Sequence, residues 1–160
     1  GFVDTLRGIH AFVPREAPAA GSQYNERVKR RALRSEHPLV TVHAETGERV
    51  LFVSPSFLKS IVGLSRRESQ KILEILWEHV TRPEYTVRFK WNAGDIAFWD
   101  NRSTAHLAPR DIFESDFDRQ LYRITLVGEP LVGVDGKTSR SIEGKPILSA
   151  ADELQMMAAE

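Results

Sequence analysis

The sequence predicts a mainly β protein with flanking helices. Tyr85 to Trp91 alternates strictly, with Tyr85, Val87, Phe89 and Trp91 on one face and Thr86, Arg88 and Lys90 on the other. That is the pattern of a half-buried strand. Leu39–Val42 and Arg49–Val53 flank a polar turn at Ala44–Glu48 and read as a β-hairpin. The clearest helix runs from Ser65 to Val80, and Pro83 stops it.

Composition sets the frame. A chain of 160 residues has room for one core, so one domain is expected. Its hydrophobic content of 41% and charged content of 28% suit a soluble globular protein. Twenty-two basic residues balance 22 acidic ones, which argues against a polyanion partner such as nucleic acid. Cysteine is absent; disulfides and thiolate metal sites are excluded, and a reducing cytoplasm is the expected location. These 160 residues contain no stretch that reads as a signal peptide or membrane-length apolar run, so a membrane role is not expected. The first residue is Gly1 rather than Met, so an incomplete or processed N-terminus is expected.

In chain order, Phe2, Val3, Leu6 and Ile9 have helical spacing, so Phe2–Phe12 is expected to be helical, with His10 structural. Val13–Gln23 holds two prolines and a glycine and reads as a loop. Arg27, Lys29, Arg30, Arg31 and Arg34 make the next stretch basic. Without interleaved aromatics this is a solvated face, or a surface that attracts an anionic substrate, rather than a nucleic-acid site. Ser54–Gly63 reads as a connector presenting Phe57, for which a pocket role and a core or surface role both stand. In the Ser65–Val80 helix, Ser65 and Glu68 form a capping box, while Ile72, Ile75, Leu76, His79 and Val80 make an apolar stripe.

The stretch from Trp91 to Arg123 carries the chemistry. Asn92–Asp95 turns the chain into a short strand, Ile96–Trp99, followed by a polar corner that ends in His106. Asp100 and Asn101 are expected to shape that corner by bonding to local backbone. Leu107–Asp118 is acidic and irregular and reads as a surface loop. Arg119–Val127 reads as a closing strand. Arg119 and Arg123, four residues apart, share one face of it, roughly 13 Å apart. Two like charges pointing inward are costly unless they meet anions. A histidine followed by two such arginines suggests a metal ligand beside an anion site, since Arg grips carboxylates and sulfonates with paired hydrogen bonds. His43-Ala44-Glu45 with His106 would formally complete a two-histidine, one-carboxylate set. Its place at a hairpin tip argues against it, and Glu45→Ala with unchanged iron binding would dispose of it. After Gly128 the tail ends in a short amphipathic stretch, Ala151–Ala158, suited to packing on a neighbouring subunit.

These residues resemble the C-terminal part of the taurine dioxygenase family, the Fe(II)- and 2-oxoglutarate-dependent oxygenases that include alkylsulfatases. The resemblance rests on His37-Pro38, Thr46-Gly47, Leu51-Phe52-Val53, Glu68-Ser69, Arg82-Pro83-Glu84, Gly94-Asp95, Trp99-Asp100-Asn101-Arg102, His106 and Arg123. It runs from about Leu6 to Gly128. The segment Gly136–Gly144 is more similar to the alkylsulfatase members.

The resemblance implies the C-terminal strands of a jelly roll, the double-stranded β-helix, with helices packed outside. Residues 1–160 are then the C-terminal portion of one catalytic domain, with 13–36 a mobile lid and 129–160 a tail; a plain surface linker is the alternative for the lid. It implies that His106 is the distal histidine ligand of Fe(II), that Arg119 binds the far carboxylate of 2-oxoglutarate, and that Arg123 holds the anionic head of the substrate. Phe57 falls at a substrate-pocket aromatic. The loop between His106 and Arg119 is about two residues longer than in the taurine enzymes, so the arginine assignments rest on less than that of His106.

The reaction implied is O2-dependent hydroxylation next to the sulfate or sulfonate of a small organosulfur compound. Sulfate or sulfite is released, and 2-oxoglutarate goes to succinate and CO2. A dimer or tetramer is implied too. The family takes its other iron ligands from a His-x-Asp motif, and none of His10, His37, His43, His79 and His106 is followed two residues later by Asp. The alternative expectation is therefore a truncated, catalytically inactive anion-binding or interaction module.

Overall fold

The computed structural model describes residues 1–12, 32–107 and 120–158. A 3-10 turn, Phe2–Thr5, leads into β1, Arg7–Ala11. Then come β2, Ala32–Pro38; β3, Val40–Val42; β4, Arg49–Leu51; and β5, Leu58–Ile61. Helix α1, Arg66–Val80, is followed by a second 3-10 turn, Pro83–Tyr85. The chain ends with β6, Val132–Gly133, β7, Arg140–Gly144, and helix α2, Ala150–Ala158.

Two antiparallel sheets form. One has the order β5-β1-β2-β7 and the other β4-β3-β6. The expected hairpin is present, with Val40 opposite Leu51 and Val42 opposite Arg49. Its loop closes through Gly47 N–H to the His43 carbonyl at 2.8 Å, and Gly47 has a φ of 71°, a left-handed conformation open to glycine at little cost.

The core lies where α1 meets the first sheet. Leu39, Val53, Leu58, Ile61 and Leu73 are buried together, with Leu6, Ile72, Leu76, Trp77 and Val80 packed around them. The capping box at Ser65 and Glu68 is formed in both directions, at 3.3 and 2.8 Å. The buried face of α1 is rotated from the expected stripe. It centres on Ser69 and Leu73, while Ile75 is exposed. A polar contact sets this rotation: Ser69 Oγ accepts from Ile61 N–H at 3.0 Å, locking the first turns of the helix to β5.

Several expected elements differ. Phe2–Phe12 is not a helix. Its apolar spacing covers a 3-10 turn and then β1, whose buried residues are Gly8 and His10. Ser54–Gly63 is not merely a connector, because it contains β5. Of the stretch 13–36, residues 13–31 lie outside the described residues and 32–36 belong to β2. Tyr85–Trp91 and Ile96–Trp99 form no strand, and neither does the described part of the expected closing strand, residues 120–127. Val87, Phe98, Tyr122, Ile124 and Leu126 are all exposed. A ladder needs a second edge, and among the described residues none pairs with these segments. The intervening turn does form, with Asn92 N–H donating to Asp95 Oδ2 at 2.7 Å.

β1 lies close against the core at Gly8. A Cβ there would collide with the Leu58 side chain and stand 2.7 Å from Leu39 Cδ2. Both leucines are fully buried, so neither has room to withdraw. Gly8→Ala is expected to cost about 1–3 kcal/mol, the usual penalty of overpacking. A lowered urea midpoint would register it.

The register sets His10 opposite Ser35 and Gly8 opposite His37, so both histidines share a face of the sheet. Their rings meet edge to face at 4.8 Å, and both touch Phe52. His37 is held by Ser35 Oγ at 2.8 Å and Ser139 Oγ at 2.7 Å, whereas neither ring nitrogen of His10 makes a well-formed hydrogen bond among the described residues. Burial pushes His10 down to about 4, aided by the Lys59 charge and opposed by the Gly8 backbone. Burial, then the neighbouring His10, pushes His37 down to about 4 as well.

A histidine depressed in the folded state leaves the unfolded chain binding more protons between the two pKa values. Stability therefore falls as pH drops from about 6.5 to about 4, by about 1.4 kcal/mol per unit of depression. The urea midpoint should decline across that window, and His10→Leu should flatten the decline.

Candidate metal-ligand corner and anion site

The corner after Trp99 is built by Asp100. Its backbone carbonyl accepts from Thr104 N–H at 2.9 Å, Thr104 Oγ1 at 2.6 Å and Ser103 N–H at 3.3 Å. Its carboxylate accepts from Arg102 N–H at 2.8 Å, Arg102 Nε at 2.9 Å and Arg102 Nη2 at 2.6 Å. The chain is thereby folded back, and the His106 ring lies 4.8 Å from that of Trp99. The indole N–H of Trp99 donates to Asn101 Oδ1 at 3.0 Å. The expectation that Asp100 and Asn101 shape the corner is met.

A second layer ties the corner to the hairpin. His43 Nε2 lies 3.0 Å from Asp100 Oδ2, and Thr46 N–H lies 3.3 Å from His43 Nδ1. His43 Nδ1 also lies 3.3 Å from Glu45 Oε2, and an Nε2–H donor suits the Asp100 contact. Arg102 Nη1 donates to Glu45 Oε1 at 3.0 Å. Arg102, then His43, hold the Asp100 carboxyl far below the usual carboxylate range. Asp100, then Glu45, raise Arg102 further.

His43, Glu45 and Asp100 each bring a potential ligand atom within 4.8 Å of the others. Arg102 already engages both carboxylates, so the group is an ion-pair network in which one guanidinium serves two acids. His106 is not part of it.

His106 is exposed and makes no hydrogen bond among the described residues; its ring lies against that of Trp99. Its ring nitrogens are thus available, which suits a single metal ligand. One imidazole does not make a site, however. Among the described residues His106 belongs to no group of three or more potential metal ligands. Arg123 is exposed, as is Phe57, the residue before β5. Arg119 lies outside the described residues, as does 108–118 of the acidic loop.

The two antiparallel sheets are those of a jelly-roll fold, the fold of the solved relatives given below. Residues 2–125 match the Taurine catabolism dioxygenase TauD, TfdA family, and the chain belongs to that family. It is 44% identical over 121 residues to an alkylsulfatase of Acinetobacter baylyi, covering 76% of this chain and 37% of that protein. It is 49% identical over 107 residues to an alpha-ketoglutarate-dependent sulfate ester dioxygenase of Pseudomonas putida, covering 67% and 35%. The crystal structure of a taurine dioxygenase from Burkholderia xenovorans superposes with a TM-score of 0.78 at 64% identity, over 91% of this chain and 46% of that one. The chain thus spans about a third of the length of these curated relatives and just under half of that solved structure.

Proposed function

We propose that this chain is the C-terminal portion of an Fe(II)- and 2-oxoglutarate-dependent dioxygenase. It would act on a small anionic organosulfur substrate, an alkyl sulfate or a taurine-like sulfonate, and release sulfate or sulfite. The ordered run Trp99-Asp100-Asn101-Arg102-x-x-x-His106 carries the reading, because it sits inside the family match and leaves an unbonded imidazole at a built corner. The names of the relatives, alkylsulfatase and sulfate ester dioxygenase, support the substrate class.

In this reading His106 supplies one iron ligand, and a His-x-Asp segment outside this sequence supplies two. The iron, when bound with 2-oxoglutarate and O2, supplies the oxidising power for hydroxylation. Arg119 grips the far carboxylate of 2-oxoglutarate. Arg123 holds the sulfate or sulfonate, and Phe57 lines the pocket for the organic part. Residues 13–36 include the lid and 129–160 form the tail. The assembly is a dimer or tetramer in the cytoplasm. Cysteine-free composition supports that location, and no helix among the described residues is long and apolar enough to cross a membrane.

The test needs a chain that carries both this region and the His-x-Asp segment. With an alkyl sulfate, Arg123→Ala is expected to raise KM by about 10–100-fold, the value of a charge-assisted hydrogen bond, with kcat less affected. An unchanged KM would remove Arg123 from the substrate site.

A second reading is an inactive anion-binding or interaction module. The exposed apolar side chains Val87, Phe98, Tyr122, Ile124 and Leu126, whose segments pair with no strand among the described residues, support it. Intact mass and metal content separate the two. A mass well above that of 160 residues, with bound iron, favours the enzyme.

A further inference from the structure

Among the described residues, every hydrogen bond from the segment 86–107 to the two sheets runs through four side chains: His43 and Glu45 on the hairpin loop, Asp100 and Arg102 on the corner. Among the described residues no ladder holds this segment. These contacts tie the corner that carries His106 to the hairpin. Asp100 is the hub. Its carbonyl closes the turn that returns His106 against Trp99, and its carboxylate joins Arg102 to His43. Arg102 in turn spans to Glu45 with Nη2 at 2.9 Å from Oε2.

We infer that Asp100, acting with His43 and Arg102, is the positioning residue for His106, fixing where the imidazole is presented to a metal ion. The inference rests on the reading of His106 as a ligand. Asp100 touches neither His106 nor any reacting atom; it acts through the fold of the corner. His43 contributes as a hydrogen-bond donor, not as a ligand. Groups that orient a ligand in this way typically contribute 10–100-fold to metal affinity.

Co(II) is the probe, titrated by its visible absorption into a chain that carries this region and the His-x-Asp segment, without 2-oxoglutarate or turnover. Asp100→Ala and His43→Ala are each expected to weaken Co(II) binding by about tenfold, at the low end of that range. His43→Gln should restore most of the loss, because its amide N–H2 stands near the position of Nε2–H. Thermal unfolding run in parallel identifies any variant that has lost its fold, and the two His43 variants carry the test if Asp100→Ala is one. Unchanged Co(II) affinity in Asp100→Ala and His43→Ala, alongside loss of binding in His106→Ala, would overturn the positioning role and leave the iron reading intact. Failure of Gln to rescue at position 43 would overturn the donor role in favour of direct ligation. Full Co(II) affinity in His106→Ala would overturn the ligand reading and the inference with it.

Discussion

His106→Ala is expected to abolish turnover in an enzyme that carries the His-x-Asp ligands, and retained sulfate release would refute the assignment. The size of the effect follows from what surrounds the imidazole. A facial set of three ligands keeps iron with open positions, and removing one leaves two. The nearest candidates to replace it are unsuitable. His43 Nε2 is directed at Asp100, and both Glu45 and Asp100 are bound to Arg102. Freeing either carboxylate would give up a charge-assisted hydrogen bond to Arg102. The loss at His106 should thus exceed the effect of Arg123→Ala, which removes one substrate contact and leaves the metal in place. Metal content after gel filtration distinguishes the two: low in His106→Ala, unchanged in Arg123→Ala.

Local signals were the legible part of this sequence. The Ser65–Glu68 capping box, the hairpin around Gly47 and the Asn92–Asp95 turn each depend on residues within a few positions of one another, and each formed as expected. The failures depend on distant partners. Val3, Leu6 and Ile9 have helical spacing, yet β1 forms because β2 and β5 flank it on both sides. The residues it buries, Gly8 and His10, are not ones that an apolar pattern selects. The alternation of Tyr85–Trp91 describes a strand correctly in its chemistry, but its partner edge is absent among the described residues.

The candidate site divides in the same way. The Asp100 corner was readable from a contiguous run. The pairing of His43 and Glu45 with Asp100 and Arg102 spans 57 residues, beyond any local rule. The one hint was His-x-Glu in the hairpin loop, and its ligand-like spacing pointed to metal chemistry where the structure has an ion-pair network.

Glu36→Ala is expected to give a large loss of stability, on the order of 3 kcal/mol, the low end for breaking a buried ion pair. Glu36 is 6% exposed and sits in β2 between strands on both sides. Arg7 Nε of β1 donates to its Oε1 at 2.5 Å, and Arg140 Nη2 of β7 donates to its Oε2 at 2.6 Å. Arg7 Nη2 also donates to the Thr138 carbonyl at 2.7 Å. One carboxylate thus joins three strands and the tail. Removing it would leave the half-buried Arg7 with a single tail carbonyl as partner, while the exposed Arg140 would return to water, which keeps the cost below the top of the range. Arg140, burial opposing, and then Arg7 hold the Glu36 carboxyl below its ordinary value. A depressed carboxylate stabilises the fold above its unfolded pKa, and that stability is lost as pH falls through the folded value. Glu36 and the His10–His37 pair therefore fail in succession on acidification. The histidines weaken the first sheet from about pH 6.5 downward, and the clamp on β7 follows at lower pH. Glu36→Gln should retain part of the hydrogen bonding while removing the second, acid-side phase from the stability profile. A profile that keeps this phase in Glu36→Gln would show that other carboxylates carry it.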